Sequence, residues 1–168
     1  MWGSKYDYAQ FEYVNATTKG IVICPKPRHG AWKVTPSNHC WQHSGCPICS
    51  ESDGERAVRL VLESLKTPFK TQYRIPECKN KRALPFDFAV WINDKLYLIE
   101  FQGKQHYEAG GQVSRGHTTT EEEVKLIQKH DLIKKNFCKR NGIPLLVIPY
   151  TQINSVEKLV REFLAATA

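Results

Sequence analysis

Apolar and polar residues along the chain follow two periods, and these predict short strands in the first third and longer elements afterwards. Alternation with a period of two is typical of half-buried strands, whereas apolar residues three or four apart indicate helices. In the first 50 residues the pattern predicts three short strands, over residues 6–14, Gly20–Ile23 and Ala31–Val34. A polar, turn-forming stretch at residues 50–54 follows, and we place a domain boundary there.

The remainder of the chain predicts seven elements in the order αβββαβα. Val58, Val61, Leu62 and Leu65 recur at helical spacing behind Ser52-x-x-Glu55, a capping-box pattern. The elements that follow are a strand at 70–75, a hairpin within 85–108, a polar loop at 109–120, a helix at 121–141, a buried strand at 144–149 and a helix at 154–166. The sequence therefore predicts an α/β domain over residues 51–168, a mixed sheet flanked by helices, behind a small module over residues 1–50.

The hairpin places an acid in the middle of each apolar strand. If Asn93-Asp94 is a two-residue turn, Ile92 faces Lys95 across the hairpin. The residue numbers of each facing pair then add up to 187, which puts Asp87 opposite Glu100. Two carboxylates so placed repel each other. A divalent cation such as Mg²⁺, which binds through one or two carboxylates, would remove that repulsion. The alternative is that both acids are solvated on an exposed sheet face.

Other polar residues are predicted to face the same region. Glu55 falls on the apolar side of its helix, where it either serves the site or only completes the cap. His106 follows the second strand closely, and His130 and Asp131 fall on the buried arc of the long helix. A buried polar pair needs partners, which either an active site or a salt bridge to a lysine would provide.

The charge and composition of the chain indicate which classes of binding partner to expect. The 168 residues carry a formal net charge of +7, spread along the chain, which favours a polyanion such as nucleic acid. No long apolar run and no signal-peptide pattern is present, so we expect no membrane contact and a cytoplasmic location.

The cysteine spacing predicts a metal site in the first module. Cys46-Pro47-Ile48-Cys49 is a CxxC pair, and Cys24 with His29 supplies a second pair, which together form a Cys₃His set for zinc. Zinc would stabilise a segment with too little apolar mass to fold alone. His39, Cys40 and His43 are alternatives for the fourth ligand, and a redox CxxC is the alternative for the pair itself.

These motifs resemble a known group of enzymes. An acid in FDF, followed by IEFQGKQHY after a hairpin on an αβββαβ frame, resembles the PD-(D/E)XK nuclease superfamily, and in particular its phage homing-endonuclease (EDxHD) branch, related to very-short-patch repair endonucleases. The first module, with its GCPIC motif, resembles the zinc-ribbon repeats that often precede such nucleases.

The resemblance implies a restriction-endonuclease-like fold and Mg²⁺- or Mn²⁺-dependent hydrolysis of DNA phosphodiesters. It implies that Asp87 and Glu100 hold the metal, while Glu55 and Asp131 complete the site and His106 acts as the base. Gln102 stands where the superfamily has a lysine, so His106 or Lys104 would act on the attacking water instead.

The implied partner is double-stranded DNA, with a homodimer as one way to cut both strands. The resemblance places the chain in a phage or bacterial setting. Six basic residues are candidates for gripping the DNA backbone: Lys70, Arg74, Lys79, Lys81, Arg82 and Arg115. Two other functions fit the same sequence, an inactive zinc-ribbon nucleic-acid-binding protein and an RNA-directed nuclease.

Overall fold

A computed structural model describes residues 2–110 and 118–166. Most of the loop expected at 109–120, and Arg115 with it, lies outside the described residues. The chain divides into two compact units, Met1–Ser52 and Asp53–Ala168. None of the described helices is long and apolar enough to cross a membrane.

The first unit contains a small antiparallel sheet. Strands β1 (Gly20–Ile23) and β2 (Ala31–Val34) pair with Ile21 opposite Lys33, as the alternation predicted. Their buried residues form a core with Tyr6 and with Cys24 and Cys46. This core is small, so few apolar contacts stabilise the unit.

The strand predicted over residues 6–14 was wrong. Only an isolated bridge between Asp7 and Ile23 forms there. The Asp7 carboxylate accepts from the Ala9 N–H at 2.8 Å, and the Phe11 N–H donates to the Tyr8 carbonyl. These local turns use the backbone groups that a second ladder would need.

The second unit has a four-stranded mixed sheet between helices, as predicted at this level. Its elements are α1 (Asp53–Ser64), β3 (Phe69–Lys79), β4 (Ala83–Ile92), β5 (Lys95–Gln102), α2 (Glu121–Arg140), β6 (Leu145–Pro149) and α3 (Val156–Ala165). The strand order is β3-β4-β5-β6, with β6 parallel to β5 and the other pairs antiparallel. A short 3₁₀ turn at Tyr150–Ser155 precedes α3, which therefore begins later than the predicted residue 154.

Alternation along the strands supplies two apolar faces. Phe88, Val90 and Ile99 form one buried cluster with α1 and α3. Ala89 and Leu98 form the other, with Phe137 and Cys138 of α2. Consequently α2 covers the face of β5 toward which even-numbered residues point, and Glu100 and Gln102 lie on that face.

The predicted hairpin register is confirmed. Ile92 pairs with Lys95 and Phe88 with Ile99, so opposed positions sum to 187. Asn93 and Asp94 have φ of 49° and 62°, the left-handed conformations that a type I′ turn requires.

Candidate metal centre and candidate active site

The first unit brings the four predicted zinc ligands together. The Nδ1 atom of His29 lies 3.6, 3.5 and 3.3 Å from the sulfur atoms of Cys24, Cys46 and Cys49. The Cys24 and Cys49 sulfurs are 3.8 Å apart. A tetrahedral zinc ion with bonds of about 2.3 Å to sulfur and 2.0 Å to nitrogen requires ligand separations of roughly 3.5–3.8 Å. The cluster could therefore hold a structural zinc ion.

The alternative fourth ligands are engaged elsewhere or exposed. His39 is buried, with Nδ1 2.7 Å from the Ser44 carbonyl and Nε2 2.8 Å from the Tyr8 hydroxyl. Its ring stacks on Trp2. Cys40 is exposed. Both ring nitrogens of His39 already have partners, and His43 is exposed and lies outside the cluster, which leaves His29 as its histidine.

In the second unit, Asp87 lies where two strand ladders are interrupted. The β4–β5 pairing ends at Phe88 and Ile99, and the β3–β4 pairing skips the positions of Gln72 and Asp87. The Phe101 N–H donates to Asp87 Oδ2 at 2.9 Å. In an uninterrupted ladder that N–H would donate to the backbone carbonyl of Phe86. The carboxylate thus replaces a backbone acceptor, and β4 separates from β5 at the acid.

Glu100, the second acid, is buried and paired with a lysine from α2. Lys134 Nζ lies 2.8 Å from Glu100 Oε1, and only 11% and 6% of the two side chains are exposed. Burial, reinforced by the charge of Asp87, raises the pKa of Glu100 to about 8, although Lys134 acts in the opposite direction. Burial thus favours the neutral carboxyl of Glu100, and Lys134 favours the ionised form.

The pKa of Asp87 is also raised, but less than that of Glu100. Burial raises the pKa of Asp87 to about 6, with the Phe101 N–H opposing and the Glu55 carboxylate adding to the rise. Gln72 points its amide nitrogen toward both acids, 3.4 Å from Glu55 Oε1 and 3.5 Å from Asp87 Oδ1. These long contacts place Glu55 of α1 beside Asp87.

His106 and Asp131 form a dyad at the end of β5. His106 Nδ1 lies 2.7 Å from Asp131 Oδ2. The same oxygen accepts from Gln102 Nε2 at 2.9 Å, and Gln102 Oε1 accepts from the Tyr107 hydroxyl at 2.7 Å. If His106 Nδ1 carries the proton donated to Asp131, Nε2 is left as a proton acceptor, which is the arrangement of a general base.

Not every candidate joins this site. His130 Nε2 lies 3.1 Å from the Asn80 amide nitrogen and borders a different cavity, together with Arg74, Lys81 and Arg82. Lys104 pairs with Glu108, and Lys70 lies over the Trp91 ring. Of the two polar residues predicted on the buried arc of α2, only Asp131 contacts the other candidates.

Three residues of the site were missed from the sequence: Gln72, Tyr107 and Lys134. Lys134 has a signal in hindsight, because it falls on the same side of α2 as Asp131 and Phe137, where a buried lysine needs a carboxylate partner. Tyr107 was part of the QHY motif without an assigned role. Nothing in the sequence marks Gln72 as a residue of the site. Its left-handed backbone, with φ of 50°, is unusual for glutamine and is not predicted by its residue type.

Among the described residues, three or more metal-binding side chains converge only at the Cys₃His cluster. A Mg²⁺ ion in the second unit would therefore depend on two carboxylates and on substrate oxygens. That donor set is one that Mg²⁺ commonly uses.

Comparison with known proteins places the chain in a family. Residues 1–50 match a family described as "Protein of unknown function (DUF723)". The chain is also similar to "Uncharacterized protein 094L" of Frog virus 3 (isolate Goorha), with 35% identity over 123 residues, or 68% of this chain and 72% of the viral protein. The chain belongs to the 094L family. No solved structure matches the chain significantly.

Proposed function

We propose that this protein is a metal-dependent endonuclease that hydrolyses phosphodiester bonds of double-stranded DNA. The observation that carries the proposal is the position of the His106–Asp131 dyad beside half-buried Asp87 of β4 and buried Glu100 of β5. Gln102 connects them, because it lies two residues after Glu100 on the same face and donates to Asp131. A proton acceptor next to a pair of carboxylates is what hydrolysis assisted by a divalent cation requires.

The order of the strands supports a restriction-endonuclease-like fold. Three antiparallel strands follow α1, and β6 then joins parallel to β5 after α2. This agrees with the αβββαβ frame of the nucleases that the motifs resemble. The interruption of the ladders at Asp87 supports the same interpretation, because it places a carboxylate where β4 and β5 separate.

Each residue has a defined part in the proposed reaction. Asp87 and Glu100 would hold Mg²⁺, which when bound polarises the scissile phosphate and lowers the pKa of a water. His106 Nε2 takes the proton of the attacking water, while Asp131 stabilises the imidazolium that forms. Gln102 and Tyr107 orient Asp131 through their hydrogen bonds.

In the proposed site Lys134 takes the role of the superfamily lysine, which the resemblance placed at the position of Gln102. Its ammonium group lies at Glu100 from the side of α2. It is therefore positioned to offset negative charge at the acids, and Gln102 is left to act on Asp131. The lysine and the glutamine together replace a single lysine of the superfamily pattern.

The test is cleavage of supercoiled plasmid DNA with Mg²⁺ or Mn²⁺ and with EDTA, beside the Asp87→Asn variant. We expect metal-dependent conversion to open-circle DNA, or to linear DNA if two chains act together, and no conversion by the variant. DNA binding that is equal in both proteins, without cleavage by either, would contradict the proposal and favour a nucleic-acid-binding protein. A matched RNA duplex in the same assay distinguishes an RNA-directed nuclease.

A further inference from the structure

A cavity of about 570 Å³ opens beside the His106–Asp131 dyad, against α2 and the end of β5 and β6. Its size lies within the range of roughly 300–1,000 Å³ that is usual for small-ligand sites. Its lining is divided by chemistry. The polar wall is formed by Gln102, His106 and Asp131, the apolar floor by Leu132, Leu145 and Val147.

Two residues of the apolar floor, Leu132 and Val147, belong to neither core of the second unit, whereas Leu145 packs against the core under α2. Leu132 is 58% exposed and Val147 38% exposed, and both line the cavity. Leu132 is one residue beyond Asp131 on α2. Exposed apolar surface collected next to a polar dyad is typical of a binding site.

The rim of the cavity is basic. Lys135 and Lys139 lie one helical turn apart on α2 and are exposed. Asp131 is the one acid among the described lining residues, and its Oδ2 atom is held by His106 and Gln102. The charge of the rim therefore fits an anionic ligand.

An aromatic ring completes the lining. Tyr107 is about half exposed, and its ring lies 5.8 Å from that of Tyr150. Its hydroxyl is committed to Gln102, so the ring has a fixed position. Rings held in this way provide stacking platforms for nucleobases.

We propose that this cavity takes one unpaired nucleotide, with its base against Tyr107 and the apolar floor and its phosphate toward Lys135 and Lys139. A base inside a duplex cannot enter such a cavity without leaving its stack, so the preferred ligand has a bulged or single-stranded nucleotide. The inference rests on the proposed function for its nucleic-acid ligand. It adds that the unpaired nucleotide lies next to the bond that His106 would act on.

The test is binding, measured without added Mg²⁺, of two labelled DNA hairpins that differ by a single bulged nucleotide. Stacking of one base on an aromatic ring strengthens binding, so we expect the bulged hairpin to bind about tenfold more tightly. Leu132→Trp fills the cavity at an exposed position and should remove this preference. Leu60→Trp, at an exposed leucine of α1 outside the cavity, should retain it.

Equal affinity for both hairpins, or an undiminished preference in Leu132→Trp, would overturn the cavity assignment. So would a change in oligomeric state caused by Leu132→Trp alone, which would indicate a second copy of the chain as the occupant. The two proposals fail separately. Plasmid cleavage without a preference for the bulged hairpin would support the nuclease proposal and contradict the cavity proposal. A preference for the bulged hairpin without cleavage would do the reverse.

Discussion

Lys134 and Glu100 form a buried ion pair, 2.8 Å apart, between the middle of α2 and the end of β5. Removing one partner of such a pair costs about 3–5 kcal/mol when the other remains charged. Glu100 can escape part of this cost by taking a proton, because its pKa is raised to about 8. The cost of losing Lys134 therefore depends on pH.

We expect Lys134→Met to lower the free energy of unfolding by several kcal/mol at pH 9 and by much less at pH 6. Denaturant unfolding at the two pH values measures this. Lys125→Met, at an exposed position of the same helix, should change the free energy by no more than about 0.5 kcal/mol at either pH. An equal loss at both pH values in Lys134→Met would show that Glu100 does not titrate in this range.

The raised pKa values of Asp87 and Glu100 predict that the protein without added Mg²⁺ becomes less stable as pH rises. A raised carboxyl pKa means that the folded state holds its proton more tightly than the unfolded state. This stabilisation is complete below the unfolded pKa values near 4 and is lost as pH rises through about 6 for Asp87 and about 8 for Glu100. We expect Tm to fall between pH 5 and pH 9 and to recover on addition of Mg²⁺ at the upper end. Glu100→Gln should flatten the part of the curve near pH 8, and a curve identical to that of the wild type would contradict the assignment.

The Cys₃His cluster predicts one zinc ion per chain. Because the first unit has a small core, zinc bound to the cluster would supply much of its folding free energy. Cys46→Ser should lose the zinc and unfold the segment around β1 and β2, whereas Cys40→Ser, at an exposed cysteine, should keep both. Elemental analysis and amide NMR spectra measure the two effects. Retention of one zinc by Cys46→Ser would exclude this ligand set.

Asp131→Asn tests the dyad separately from the metal site. The amide cannot stabilise an imidazolium as a carboxylate does, and we expect metal-dependent cleavage to fall by about 10²–10⁴-fold. The tautomer of His106, read from its ring nitrogen chemical shifts, should change as well, which a purely structural role of Asp131 would not require. Glu122→Gln, an exposed acid on the same helix, serves as the control.

Gln72 offers a test of the charge at Asp87. Gln72→Glu places a third carboxylate near Glu55 and Asp87, so Tm without Mg²⁺ should fall, and added Mg²⁺ should raise it more than in the wild type. Asn136→Glu adds the same charge at an exposed position of α2 outside the site. If both variants respond alike to Mg²⁺, the effect is one of overall charge and not of the site.

The sequence predicted those parts of the structure that depend on local rules. A two-residue turn fixes the hairpin register by counting, so the pairing from Ile92–Lys95 to Phe88–Ile99 could be predicted without a structure. The predicted opposition of Asp87 and Glu100 lies one position beyond the end of that ladder. The Cys₃His set followed from spacing in the same way. Lys134 could not be assigned, because its partner depends on how α2 lies across the sheet.

Two other differences between the predicted and the observed structure, at residues 6–14 and at Gln72, have causes that cannot be read from residue types. Residues 6–14 alternate like a strand, but the Asp7 side chain and a turn at Tyr8 bind the backbone N–H groups of Ala9 and Phe11. These groups are therefore not available for a strand ladder. Gln72 adopts a conformation that glutamine seldom takes, and its position opposite Asp87 could not be predicted from its type.

The left-handed residue in β3 also affects how the sheet meets other chains. β3 and β6 are the edge strands of the four-stranded sheet. Gln72 breaks the regular row of backbone donors and acceptors on one edge, and Pro149 lies at the end of the other. Edges interrupted in this way are poor templates for strand addition, which protects against edge-to-edge aggregation. If two chains associate to cut both strands of DNA, we expect them to meet through helices or loops, not by extending the sheet.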